Sequence, residues 1–261
     1  MQTLKLVLYF WKLNLFSAME YKVSFIIQVF WMIINDCMFF LVWVFFFKIF
    51  GTLGGLDIWK FAILLSIMVM VFWMVHTFFY GYYRIWIMIE EGKLDNYLLL
   101  PKNILVKLLT SSMMTTAVWD ILFAFLLMFL IPDLNFLMVI KIILLSIIWT
   151  GTFIGFMLIF ISLSFFTWSS KNLTRWIFEA LLGPSHYPPW IFDWTILKFI
   201  FMTLIPVYFI SFWQFYLILN FTFLGLVKLI LWSLAFLILW ISMFYKWLKK
   251  YESGNMLNIN V

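Results

Sequence analysis

Six runs of apolar residues, each long enough to cross a hydrocarbon layer of about 30 Å as a helix of about 20 residues, leave this chain little choice of solvent. They lie at about 22–47, 59–82, 105–131, 137–166, 196–219 and 222–245. Composition agrees: 67% of the 261 residues are apolar, 11% are charged, and the aromatic load includes 34 Phe and 16 Trp. No water-facing surface accommodates that load. The chain therefore reads as an all-α integral membrane protein in which the spans are the fold itself. The first residues interleave Lys with aromatics and lack a small-residue cleavage site, which separates them from a secretory signal peptide. A single cysteine, Cys37, inside an apolar run excludes an internal disulfide framework and a thiolate metal cluster.

Charge orients the spans. Residues 1–21 place Gln2, Lys5, Tyr9 and Lys12 along one side and Leu4, Leu8, Trp11 and Leu15 along others, which predicts an amphipathic helix in the headgroup plane. With that helix inside, Lys5, Lys12, Lys22, Arg84, Lys93, Lys102, Lys107, Lys171, Arg175, Lys198, Lys246, Lys249 and Lys250 fall on the inner side. Only Lys48, Lys60, Lys141 and Lys228 fall outside. So strong a positive-inside bias predicts a multi-pass protein of the cell (inner) membrane with both termini cytoplasmic: a six-span domain at 22–246 and a cytoplasmic tail at 247–261. The net charge of +6 is then accounted for by lipid headgroups, and no nucleic-acid partner is expected. The stretch 169–195 is too polar to span cleanly. It reads as an inner-side helix followed by a Pro-bent loop, with the start of span five as the alternative.

Classical catalytic patterns are missing. There is no GxxxxGK[ST] phosphate loop and no HExxH, and the only histidines are His76 and His186. One wet segment stands out between spans two and three, "IEEGKLDNYLLLPKN" at 89–103. Within 84–104 charged residues alternate with Ile and Leu, Gly92 interrupts the pattern and Pro101 ends it. Either this is a solvated link, or it is a docking element, since apolar side chains rimmed by charge mark protein contact sites.

The run "IEEGKLDNYLLLP" resembles the I-x-x-G-x-L-D-x-x-L-x-x-P signature of the ABC-2 type permeases of the DUF990-like group, the membrane subunits of bacterial ABC exporters. "SFFTW" at 164–168, "YPPWIF" with "IPVYF" at 187–209, and "WLKKYESGN" at 247–255 agree in order and spacing. The last departs slightly from the family's closing Tyr-x-Ser-x-Gly, reading Tyr251, Glu252, Ser253, Gly254. The resemblance runs from span one to about residue 255. It implies a type V-like exporter bundle whose segment between spans two and three is a coupling helix seated in a groove of a separate ATPase. By that mapping the coupling residues are Glu90, Glu91, Gly92, Lys93, Leu94, Asp95 and Pro101. It further implies no catalytic residue, metal or cofactor in this chain, with ATP and Mg²⁺ bound by two copies of a partner ABC ATPase. A second permease, identical or homologous, completes the unit, and the cargo is amphipathic or hydrophobic: a peptide, antibiotic or lipid-like molecule.

Polar residues inside spans are costly in lipid and mark interior faces. Asp36 lies 14 residues after Lys22 and Asp120 lies 13 after Lys107, which places both roughly 20 Å from the inner interface at about 1.5 Å per residue. Asn35 adjoins Asp36, and Ser112, Thr116 and Asp120 recur at helical spacing. These residues, with His76, are expected either to hydrogen-bond helices together or to line a translocation path. Gly151 and Gly155 permit a close helix approach. Two rival readings are a membrane-embedded lipid-modifying enzyme, against which His186 stands far from both carboxylates in sequence, and a non-transporting assembly or immunity protein.

Overall fold

The computed structural model describes residues 2–53, 55–99, 103–132, 134–165, 171–187, 192, 195–203, 207, 208 and 212–251. Among them the only non-helical pairing is an isolated antiparallel bridge between Leu53 and Leu56. The helices are α1 (Gln2–Met19), α2 (Lys22–Phe50), α3 (Ile58–Phe78), α4 (Ile85–Glu90), α5 (Leu94–Leu98), α6 (Ile104–Leu109), α7 (Asp120–Leu130), α8 (Phe136–Ser162), α9 (Lys171–Ser185), α10 (Thr195–Thr203), α11 (Trp213–Leu219) and α12 (Phe223–Leu248). Four of these, α2, α3, α8 and α12, are long and apolar enough to cross a membrane unbroken. Their starts are written locally. Asp57, Asn135 and Thr222 each accept a hydrogen bond from the backbone N–H three residues on, at 2.8, 2.8 and 3.2 Å. Such caps contribute about 1 kcal/mol each and set where a span emerges from its turn.

The core is α3 with α7 and α8 packed against it, and α2 and α12 are largely exposed flanks. Lipid tails are as apolar as Leu, so these helices are held by close packing rather than by escape from water. Gly155 shows how tight that packing is: a Cβ there would sit 2.2 Å from Trp240 Cε3 and 3.0 Å from Leu237 Cδ2 of α12. The expected Gly151–Gly155 contact is thus the seam between α8 and α12. Trp11 pins α1 to the end of α3, donating from Nε1 to the Phe78 carbonyl at 3.0 Å.

Span three is not one helix. It consists of α6, a stretch without regular structure at 112–114, a 3₁₀ turn at Thr115–Trp119, and α7. The break is satisfied internally, because the Met114 N–H donates to the His76 carbonyl at 2.8 Å, where α3 is about to end. Consequently Ser112, Thr116 and Asp120 do not form the single helical stripe that their spacing predicts. Asp120 opens α7, in its first turn. Span five is also assembled from pieces. Helix α9 does not lie flat at the inner surface: Phe178 packs edge-on to His76 and Phe153, His186 meets Phe39 and Tyr187 meets Trp43 of α2. Since Phe39 and Trp43 lie beyond Asp36 along α2, α9 rises into the bundle.

Candidate functional site

Two places concentrate polar chemistry, and the first is the wet segment. After α3 the chain makes a 3₁₀ turn at Tyr80–Arg84, runs through α4, reverses at Glu91–Lys93 and continues as α5. Gly92 sits at φ +66°, the left-handed conformation that a Cβ disfavours, and this is what breaks α4 from α5. The segment has a buried underside and an exposed rim. Tyr82, Ile85, Ile89 and Leu94 are buried, α4 packing on α8 and on the 3₁₀ turn Leu163–Phe165 that follows it. Glu91 and Lys93 pair at 2.6 Å on the exposed side, a contact of small energy in water, and Leu99 is 84% exposed. Among the mapped residues, Leu94 is therefore a packing residue, Asp95 is half-buried, and Glu91 and Lys93 face outward. The side chain of Glu90 and all of Pro101 lie outside the described residues, as do residues 166–168, 188–191, 205, 206, 209 and 252–255 of the family-like stretches.

Several contacts tie this segment to the bundle. Gly81 touches α6 so closely that a Cβ would stand 1.9 Å from the Leu108 carbonyl oxygen. Buried Lys107 donates from Nζ to the Tyr97 carbonyl at 2.6 Å. The Tyr245 hydroxyl of α12 donates to Asn103 Oδ1 at 2.7 Å, and Asn103 also caps α6 through the Val106 N–H. Tyr251 packs edge-on to Phe165, and its hydroxyl is buried near the Asp95 carboxylate; burial first, and that carboxylate second, push the phenol up to about 12. His76 joins in from above: Nδ1–H donates to the Phe72 carbonyl at 2.9 Å, which leaves Nε2 to accept from the Tyr82 hydroxyl at 3.4 Å. His76 is therefore a link between α3 and the wet segment.

The second place is a cavity of about 170 Å³ between α2, α3, α7 and α9. Asn35 and Asp36 enter it from α2, Asp120 from the start of α7, and His186 from the end of α9, with Met68 and Phe72 of α3 as apolar wall. Asp120 is 1% exposed, and neither of its carboxylate oxygens has a hydrogen-bond partner. Asp36 and Asp120 thus line one cavity, with Asn35 beside them. Thr116 is half-buried in the 3₁₀ turn packed on α2 and does not line the cavity. His186 was not anticipated. Its signal was the spacing Phe178, Leu181, Leu182, Ser185, one apolar helical face followed directly by the imidazole, inside a segment whose overall polarity hid it. Among the described residues no three His, Cys, Asp or Glu side chains are grouped to hold a metal ion.

A family model described as ABC-2 family transporter protein matches residues 8–254, nearly the whole chain, and the chain belongs to that family. No curated protein and no solved structure matches it.

Proposed function

We propose that this member of the ABC-2 transporter family is the membrane subunit of an ABC exporter, in which a separate ATPase acts on the segment 84–104 and an amphipathic or hydrophobic cargo leaves the cell. The observation that carries this reading is the construction of that segment. Its rim of Glu91, Lys93 and Asn96 is exposed, while its underside is bonded or packed to α3, α6, α8 and the end of α12. A push on such an element reaches four helices through side chains rather than through a slack loop. An ATPase shifts the bundle only by binding its arrangements unequally, and a rigid handle is what lets that difference be felt. The rest follows the family pattern: two ATPase chains holding ATP and Mg²⁺, a second permease chain, both termini cytoplasmic in the inner membrane, and no catalysis by this chain.

The test is to replace Gly92 and Asp95 together and to measure ATPase association and its stimulation in reconstituted vesicles. Loss of both is expected. Unchanged association and coupling would remove the docking role.

The membrane-embedded enzyme gains one observation, the convergence of His186 on the two carboxylates. No hydroxyl, thiol or amine nucleophile lines that cavity, since no Ser, Thr, Cys or Lys does so among the described residues. Substrate turnover by the purified chain without any ATPase is the result that would favour it.

A further inference from the structure

The Asp36–Asp120 cavity is a set of acceptors without a cation. Two carboxylates, the Asn35 amide and His186 line it, and no Lys or Arg does so among the described residues. His186 Nδ1 is engaged with the Leu182 carbonyl at 2.8 Å, which as the N–H donor leaves Nε2 with a free lone pair. Both oxygens of Asp120 are buried without a partner. An orphaned carboxylate in an apolar setting is costly, and native proteins keep such a group only where something else completes it. Asp120 also opens a half-helix in the middle of a broken span, where the helix N-terminus eases the negative charge but supplies no counter-ion.

From this geometry we infer that the cavity binds the primary ammonium group of a cationic amphiphile, with Asp36 and Asp120 as its counter-ions and His186 and Asn35 as further acceptors. An ammonium carries three N–H donors and no acceptor, which matches a lining rich in acceptors. Charge-assisted hydrogen bonds to both carboxylates are its strongest contacts. Phe72 and Met68 form the wall against which the first carbons of an alkyl chain lie, Phe72 also offering its ring to the cation. A metal ion fits less well, because Asp36, Asp120 and His186 line the cavity without being grouped as a metal-holding set.

As a statement about cargo this deepens the exporter reading and rests on it. The binding itself is measured without ATPase or transport, so the two fail separately. The full chain in zwitterionic nanodiscs is titrated with n-hexylammonium and with hexan-1-ol, its neutral counterpart, empty nanodiscs serving as blank. Saturable binding of the amine alone is expected, weakened at least about tenfold in D120N and in D36N, as loss of a charge-assisted contact requires. Infrared difference spectra are expected to show the carboxyl bands of Asp36 and Asp120 shift as amine binds and stay unmoved by the alcohol. Equal affinity for the alcohol, undiminished amine affinity in both variants, or carboxyl bands unmoved at saturating amine would each overturn the proposal. The amine-against-alcohol and infrared comparisons use the unsubstituted chain and so stand even where a variant fails to fold.

Discussion

Gly81, Tyr251 and Gly92 carry more of the wet segment than its charges do. Gly81 admits no side chain, because the obstruction at 1.9 Å is backbone and has no rotamer to move. Gly81→Ala is therefore expected to force the 3₁₀ turn off α6 and to cost about 1–3 kcal/mol or more, read as a lowered thermal midpoint in nanodiscs. At Gly92 the conformation rather than space is at issue, with φ at +66°. Gly92→Ala is expected to cost about 1–2 kcal/mol, and Gly92→Asn less, since Asn tolerates the left-handed region. Tyr251 has a pH signature. Its phenol is raised from the ordinary 10.0 to about 12, so the unfolded chain loses its proton first as pH rises. The contribution is fully present below pH 10.0 and is lost as pH approaches about 12. Tyr251→Phe is expected to flatten that alkaline fall in unfolding midpoint; an identical pH profile would mean that the buried hydroxyl near Asp95 contributes nothing.

Among the elements, the seam between α8 and α12 and the break in span three behave in opposite ways. Gly151 and Gly155 bring two unbroken helices into contact, and Trp240 fills the groove that Gly155 leaves. Gly155→Leu is expected to displace Trp240 and separate the pair, seen as faster protease cleavage of α12 and a stability loss of about 1–3 kcal/mol. The break at 110–119 is instead held by what it bonds to. The Met114 N–H finds the His76 carbonyl, and Thr110 and Ser111 return their hydroxyls to Val106 and Leu108 carbonyls at 2.8 Å each. Backbone away from water must be satisfied somewhere, and here α3 and α6 provide the acceptors. A straight helix through 104–130 would have placed Asp120 mid-helix. The break makes it the opening residue of α7 instead, facing Asp36.

For the whole molecule, α1, the wet segment and the end of α12 gather at one end of the bundle, the end we propose to be cytoplasmic. In a Cys37→Ala background, a cysteine placed at Lys93 is expected to react with a membrane-impermeant thiol reagent from the cytoplasmic face only; labelling from outside would invert the topology and remove the coupling role. The solvent, the helical class and four unbroken apolar helices were determined by the sequence itself, because lipid imposes length, apolarity and backbone satisfaction on each segment independently of its neighbours. The capping residues Asp57, Asn135 and Thr222 acted on that same local scale. The convergence of His186 with Asp36 and Asp120, the rise of α9 and the break before α7 were decided only by the tertiary structure. Each depends on a neighbour supplying what the segment lacks: an acceptor for Met114, an apolar wall for Phe178, and room beside α6 for Gly81. Such complementarity is a property of pairs of surfaces, and no single stretch of chain contains it.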